Sequence, residues 1–148
     1  MSEQTSSGVM AGKRGLIMGV ANDRSIGWGI ASKLAEHGAE LAFTFQGEAL
    51  QKRVIPLAES VGSNLVLPCD VTDEASVDAV FDRLKSEWGE LDFVLHAIAY
   101  SDKEELKGGY VDTSRDNFQR TMDISVYSFT EITRKATAMM KNGGSLLT

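Results

Sequence analysis

Three residues near the start of the chain have the types and spacing of a phosphate-binding loop. Gly19 follows an apolar run, Ser25 comes six positions later, and Gly29 lies four positions beyond Ser25. Glycine lets a ligand approach the backbone closely, and the free N–H groups at a helix N-terminus favour an anion. The hydroxyl of Ser25 could donate to a pyrophosphate. The alternative is an ordinary loop between a strand and a helix, with glycines for packing.

Polar residues also follow the second and third apolar runs. Gln46 stands where proteins that bind NAD usually carry an acidic residue for the ribose hydroxyls, and its amide can bond to such a hydroxyl. Lys52 and Arg53 come a helical turn or more later, so the pattern favours NADH over NADPH. Asp70 could bond an adenine amino group while Val71 packs on the ring. The alternatives are a polar turn residue at Gln46 and a helix cap at Asp70.

Residues around the fourth apolar run leave room for a ligand. Ala97 and Ala99 follow His96 and have small side chains, which suits a ribose or nicotinamide at the edge of a sheet. We expect His96 to order the loop or lie in the core rather than to act as a base. Cys69 has no motif around it and is interpreted as a small buried hydrophobe. No metal site is predicted.

Short apolar runs alternate with segments of helical period, so strands and helices should alternate. The runs predict strands in "GLIMGV", "ELAFTF", "NLVLPCDV" (ending near Pro68), "LDFVLHAIAY" and, at its first residues, "SLLT". The strands have continuous apolar runs, which is typical of strands covered on both faces. The sequence therefore predicts an α/β fold, a doubly wound Rossmann-type parallel sheet with helices on both faces. We expect the order 3-2-1-4 with strand 5 beside strand 4, the chain stopping at the start of strand 5.

Four helices are predicted between these strands. The first covers 27–37 and ends at Gly38; the second covers about 50–61, and Pro56 should kink or divide it. Thr72 or Asp73 could cap the third. The fourth should run from about 114 to 141 and be ended by Gly143 and Gly144. Its predicted core-facing residues are Phe118, Met122, Val126, Phe129, Ala136 and Met140.

Length and charge limit the classes of function. The 148 residues suit one dinucleotide-binding domain over 1–148, with a polar, flexible leader over 1–11. A net charge of −6 argues against nucleic acid and anionic membranes as partners. One cysteine fits a reducing cytoplasm, and no apolar run is long enough for a transmembrane helix.

Taken together, these segments resemble the short-chain dehydrogenase/reductase superfamily, and within it the bacterial enoyl-[acyl-carrier-protein] reductases of type II fatty acid synthesis. The spacing Gly-x5-Ser-x3-Gly and a Gln closing the second strand are specific to that branch. The resemblance covers nearly everything after the leader. The segments that carry it are "GVANDRSIGWGIA", "GAELAFTFQGE", "VLPCDVTDEASVDAVF", "HAIAYSDKEELKGGYVDTSRDNF" and "DISVYSFTEITRKA".

The resemblance implies an NADH-dependent reductase of a trans-2-enoyl thioester carried on acyl-carrier protein, cytoplasmic and homotetrameric. It implies substrate contacts at Tyr100 and Ser101, and a supporting role for Ser125, where the main branch keeps an Asn. Family members commonly have Ser and Gly where this chain has Ala97 and Ala99, so a serine hydroxyl contact is lost. The implied cofactor contacts are Gly19, Ser25, Ile26, Gln46, Asp70, Val71 and Ile98.

The resemblance also implies a catalytic Tyr-x6-Lys pair, and that pair would lie beyond Thr148. We therefore expect these 148 residues alone to bind NADH weakly or not at all and to lack turnover. Two alternatives stay open from the sequence. One is another reductase of the superfamily, for example a ketoacyl reductase with Tyr-x3-Lys. The other is a nucleotide-binding module without activity.

Overall fold

The computed structural model describes residues 8–148, and within them a five-stranded parallel sheet forms the centre of the fold. The strand order is β3-β2-β1-β4-β5, which confirms the predicted order. All strands run parallel, and β1 and β4 are neighbours at the point where the chain stops adding strands on one side of β1 and begins to add them on the other. At this switch point Met18 pairs with His96. The strands are β1 (Arg14–Met18), β2 (Glu40–Phe45), β3 (Val66–Pro68), β4 (Phe93–His96) and β5 (Ser145–Leu147).

Helices cover both faces of the sheet because successive strand residues point to opposite sides. Leu16 and Met18 belong to one buried cluster, with side chains of the third and fifth helices, whereas Ile17 belongs to another, with side chains of the first and second. The predicted doubly wound α/β architecture is thereby confirmed. The helices are α1 (Ile26–Glu36), α2 (Glu48–Ser60), α3 (Glu74–Glu87), α4 (Arg115–Met122) and α5 (Ser128–Thr137).

The first three helices agree closely with the sequence pattern. Gly38, with φ of +98°, follows the end of α1, and the Asp73 side chain accepts from the Ala75 N–H at 3.0 Å to cap α3. Pro56 does not divide α2, which is continuous. Pro56 and Lys52, whose carbonyl loses its helical donor, are both exposed, so water can satisfy that carbonyl.

The long helix predicted over 114–141 is present as one unbroken helical segment over 115–137, but its interior and its end differ from the prediction. A single π-helical turn, Asp123–Tyr127, separates α4 from α5, and α5 ends at Thr137, before the two glycines. Three predicted core residues are exposed, with exposed fractions of 47% at Phe118, 42% at Met122 and 49% at Val126. The extra residue of a π turn shifts the helix faces. In addition, α4 buries Asn117 against the loop after β4 rather than an apolar stripe against the sheet.

Of the predicted flexible leader over 1–11, residues 1–7 lie outside the described part, and its last four residues contact the rest of the fold. The Met10 N–H donates to the His37 carbonyl at 3.0 Å, and the Met10 side chain packs on the α1–α2 side of the core. These contacts hold residues 8–11 to the end of α1. No helix within residues 8–148 is long and apolar enough to cross a membrane.

Candidate functional site

The carboxyl ends of β1 and β4 diverge at the switch point and open two adjoining clefts. The first, of about 230 Å³, lies toward β2 and β3; the second, of about 540 Å³, lies toward β5 and the start of α1. Both clefts share Gly19, Ala97, Ile98 and Ala99. A ligand lying across the sheet edge can therefore occupy both, as dinucleotides do in folds of this topology.

Gly19 is required by geometry at the junction of the clefts. Its φ is +96°, and a Cβ added there would lie 2.0 Å from the Ala97 carbonyl oxygen. Only glycine permits both this conformation and this approach. Gly29 differs: it lies inside α1 at an exposed position, and an added Cβ would meet nothing within 4 Å. The packing interpretation thus explains Gly19 in part and does not explain Gly29.

Ser25 closes the loop that leads into α1. Its Oγ accepts from the Ala21 N–H and the Asn22 N–H, both at 2.9 Å, and donates to the Asn22 carbonyl at 2.8 Å. The hydroxyl proton is therefore already given to the loop. Donation from Ser25 to a pyrophosphate stays a prediction, and it would require this hydroxyl to rotate.

The N-terminus of α1 is suited to an anion. Ser25 is the N-cap residue, yet its side chain makes no capping bond to α1, and within the described residues no other side chain does so. The first residue of the helix, Ile26, is 82% exposed and lines the second cleft. Uncapped N–H groups at the end of an 11-residue helix supply the donors and the dipole that a phosphate needs. The residues present therefore fit a dinucleotide.

The strand ends on the β2–β3 side bring Gln46, Val71 and Asp70 together. Gln46 and Val71 line the first cleft. Asp70 adjoins it, and its Oδ1 accepts from the Thr72 hydroxyl at 2.6 Å and the Thr72 N–H at 2.9 Å. These bonds, above all the one from the hydroxyl, lower the pKa of Asp70, and a bond from the Gln46 amide lowers it further. Asp70 is therefore an anionic acceptor near neutral pH, while Gln46 adds no charge.

Cys69 lines the same cleft but is chemically inert. It is buried, and burial raises the pKa of its thiol to about 11, with Asp70 and Glu131 adding to the shift. The thiolate is the nucleophilic form of cysteine, so a protonated thiol supports the interpretation as a small hydrophobe. Among residues 8–148, no group of three or more His, Cys, Asp or Glu side chains could hold a metal ion.

His96 is buried at the end of β4, and its two ring nitrogens have different partners. Nε2 lies 2.8 Å from the Ser128 Oγ, and Nδ1 lies 3.1 Å from the Thr148 Oγ1. Because Ser128 donates its proton to the Ile124 carbonyl at 2.6 Å, His96 must donate from Nε2. Burial lowers the pKa of His96, so the ring is neutral and Nδ1 accepts from Thr148. Of the two predicted roles, a place in the core is confirmed, because His96 is 1% exposed and its ring bonds to Ser128 and Thr148 rather than to the loop after β4.

The loop after β4 separates the two predicted substrate contacts. Tyr100 lines the first cleft, together with Ile98. Ser101 does not line it: its Oγ accepts from the Asn117 Nδ2 at 3.1 Å and the Thr121 Oγ1 at 3.2 Å, and it faces a third cavity beside α4. A substrate contact at Ser101 therefore stays a prediction, and the structure gives its hydroxyl a role in holding the loop.

Ser125 lies in the π turn and holds the Tyr100 peptide from both sides. Its Oγ accepts from the Tyr100 N–H at 3.0 Å and donates to the Tyr100 carbonyl at 3.2 Å. The sequence reasoning missed other members of the site because no local pattern marks them. Asn117 lies among other polar residues of α4, so its type and position do not distinguish it. The unpredicted lining residues of the first cleft include Thr44, Leu50 and Ile124.

Comparisons with known proteins decide the family. The family profile described as "Enoyl-(Acyl carrier protein) reductase" matches residues 19–148. The chain belongs to this family. It is 64% identical over 143 residues to "Enoyl-[acyl-carrier-protein] reductase [NADH] 1" of Rhizobium meliloti (strain 1021), covering 97% of this chain and 53% of that protein.

Solved structures of family members share the fold. The crystal structure of FabI from Candidatus Liberibacter asiaticus matches with a TM-score of 0.92 and 55% identity, over 94% of this chain and 54% of that one. A reductase from Anaplasma phagocytophilum, solved in complex with NAD, matches with a TM-score of 0.90 and 58% identity, over 93% of this chain and 52% of that one. The chain thus spans about half the length of the relatives it matches.

Proposed function

We propose that this chain supplies the cofactor-binding part of an NADH-dependent enoyl-[acyl-carrier-protein] reductase. The observation that carries the proposal is the pair of adjoining clefts that share Gly19 and Ala97, with an uncapped helix N-terminus beside them, in a chain of this family. The complex of the Anaplasma relative with NAD supports the cofactor. No observation favours a ketoacyl reductase instead.

The chain's own residues would hold the two ends of the cofactor differently. The β1–α1 loop and the first N–H groups of α1 would bind the pyrophosphate. On the β2–β3 side, Asp70 can accept from the adenine amino group, Val71 can pack on the ring, and the neutral Gln46 suits unphosphorylated ribose hydroxyls. We retain Gly19, Ser25, Ile26 and Ile98 as proposed cofactor contacts.

Chemistry would take place on the β4–β5 side. When bound, NADH supplies a hydride to the β-carbon of the enoyl thioester. Ile98 lines the second cleft, which lies on that side, and the small side chains of Ala97 and Ala99 leave space beside Gly19. We keep Tyr100, which lines the adjoining first cleft and follows Ala99 of both clefts, as a proposed substrate contact. Ser125 keeps the Tyr100 peptide in place. The enolate oxygen would be stabilised by the Tyr-x6-Lys pair that the family resemblance implies, which lies outside these 148 residues.

Partners, assembly and location follow the same proposal. The substrate is an enoyl group linked to acyl-carrier protein, which the family description supports. A homotetramer is supported by the apolar surface that Phe118, Met122 and Val126 expose on one side of α4 and the π turn. The cytoplasm is the proposed location, supported by the lone, reduced cysteine.

Two titrations of the 148-residue chain test the proposal. We expect NADH fluorescence to report binding, more weakly than in a full-length family member, and no oxidation of NADH when crotonyl-coenzyme A is added. Binding without turnover supports the cofactor role. Absence of any binding at millimolar NADH contradicts it, and turnover would contradict the assignment of catalysis to residues outside the chain.

A further inference from the structure

Asn117 is the buried polar side chain that connects α4 to the loop after β4. Only 5% of it is exposed, and its Oδ1 accepts from the Asp102 N–H at 2.8 Å. Its Nδ2 donates to the Ser101 Oγ at 3.1 Å. The oxygen and the nitrogen of the amide therefore bond to two successive residues of one loop, 15 and 16 positions away in the sequence. The Oδ1 also accepts from the Thr121 hydroxyl at 3.4 Å.

These two residues follow Tyr100 directly, and Tyr100 borders the cleft. Its peptide is held by Ser125, while Ser101 and Asp102 are held by Asn117. Since Ser125 lies in the π turn and Asn117 in α4, two separate parts of the helical segment hold three consecutive loop residues. A loop with only one of these anchors could pivot about the other.

The segment beyond Asp102 depends on the same helix. Glu105 accepts from the Ser114 N–H at 2.8 Å and the Ser114 hydroxyl at 2.6 Å, and Ser114 caps α4 by accepting from the Asn117 N–H at 3.2 Å. The bonds from Ser114, followed by one from the Asn117 amide, lower the pKa of Glu105. The loop therefore closes on the first turn of α4, and Asn117 lies at the centre of that closure.

We infer that Asn117 is a positioning residue, whose amide fixes Ser101 and Asp102 so that Tyr100 keeps its place at the cleft. The inference rests on the proposed function, which keeps Tyr100 as a contact of the enoyl thioester. The amide does not touch the cleft. Its loss should therefore impair binding of the acyl substrate more than the hydride step or the binding of NADH.

The test compares three substitutions, Asn117→Ala, Asn117→Asp and Gln119→Ala. Each is made in the 148-residue chain and at the equivalent position of an active full-length enzyme of the family. Gln119 is exposed on the same helix and serves as the matched control. Asp keeps an acceptor for the Asp102 N–H but lacks the donor to Ser101. The measurements are amide hydrogen exchange at Asp102, NADH affinity, and KM and kcat for crotonyl-coenzyme A.

For Asn117→Ala we expect Asp102 to exchange about tenfold faster and KM to rise about three- to tenfold, as loss of one or two hydrogen bonds implies. We expect kcat and NADH affinity to change less than twofold. In Asn117→Asp, exchange at Asp102 should be slow again, and KM should lie between the values of the unmodified protein and Asn117→Ala. Gln119→Ala should match the unmodified protein.

Unchanged exchange and KM in Asn117→Ala would overturn the inference. So would equal losses in kcat, KM and NADH affinity that Asp does not relieve, because that pattern marks a purely structural role. If Asn117→Ala does not fold, Asn117→Asp decides, since it must protect Asp102 while raising KM. Failure of the unmodified chain to bind NADH counts against the proposed function alone, because exchange at Asp102 still reports whether Asn117 anchors the loop.

Discussion

The two loops that border the site are held in opposite ways. The loop from β1 to α1 is closed by its own Ser25, which bonds to residues three and four positions away. The loop from β4 to α4 is held by Asn117 and Ser125, which bond to residues 15 to 25 positions away. The first loop can take its shape as soon as its own strand and helix form. The second requires α4 and the π turn to be in place beforehand, so it depends on the assembled fold.

This difference fits what each loop would do. A pyrophosphate site needs a fixed set of N–H donors, and a locally closed loop can supply one without help from distant residues. A substrate loop must lie at a definite distance from the cofactor, and distant anchors set that distance. We therefore expect changes in the first loop to alter stability and NADH affinity together, and changes in the second to alter mainly the acyl substrate.

The largest effect should come from Gly19→Ala, which tests the point where the two loops meet. The added Cβ would clash with the Ala97 carbonyl at a φ of +96°, so we expect a loss of about 3 kcal/mol or more in the free energy of unfolding. Urea titration measures it. The control is Gly29→Ala, which puts a Cβ in open space inside α1. This change should raise the free energy of unfolding, by at most about 1 kcal/mol. Equal effects of the two changes would refute the geometric argument.

Ser25→Ala should break the local closure of the first loop. Two N–H groups lose their partner, while the Asn22 carbonyl keeps its bond from the Ser25 N–H, so we expect about 1–2 kcal/mol less stability and about fivefold weaker NADH binding. Thermal unfolding measures the loss of stability, and fluorescence titration measures the NADH affinity. Ser32→Ala serves as the control, because the Ser32 hydroxyl bonds only to the Gly29 carbonyl within α1. If Ser25→Ala lowers stability but leaves NADH affinity unchanged, the closure of this loop does not contribute to NADH binding.

The stability of the fold should respond to pH through His96, which ends β4 and bonds to Ser128 at the start of α5. Its pKa is lowered by burial, so the unfolded chain takes up a proton first as the pH falls. Stability from the neutral ring is complete above about pH 6.5 and declines below it by at most about 1.4 kcal/mol per pH unit. Urea midpoints between pH 7.5 and 5.5 measure the decline. His96→Gln should flatten that part of the curve, and identical curves would refute the assignment.

The smallest effect concerns cofactor choice on the β2–β3 side. Gln46 carries no charge at the proposed ribose position, so we expect NADH to bind better than NADPH. Gln46→Arg should narrow that preference by about three- to fivefold, since Arg pairs with a 2′-phosphate. Parallel titrations with both nucleotides measure the ratio. Glu48→Gln, at the exposed first residue of α2, is the control, because it makes the net charge more positive by the same one unit. If the ratio of NADH to NADPH affinity shifts equally in both variants, the shift comes from the overall charge and not from the position of Gln46.

The sequence by itself determined the strand order, the doubly wound architecture and the first loop. The first loop and the helix ends rest on short-range signals: the spacing of Gly19 and Ser25, the Gly38 stop and the Asp73 cap. They were readable because the interacting residues lie close together in the chain. The strand order pairs distant residues, such as Gly15 with Phe93, and it followed instead from the alternation of apolar runs with helical segments that is typical of a doubly wound fold. The sequence also led to the family, through the resemblance that the same spacing and Gln46 carry.

Only the tertiary structure decided the second loop and the helix that holds it. The periodicity placed Phe118, Met122 and Val126 in the core, whereas they are exposed, and it gave no sign that Asn117 is buried. A π turn costs only one extra residue, so it leaves no mark in a pattern of apolar positions. What Asn117, Ser125 and Ser101 do depends on partners that the chain brings together only after the sheet has formed.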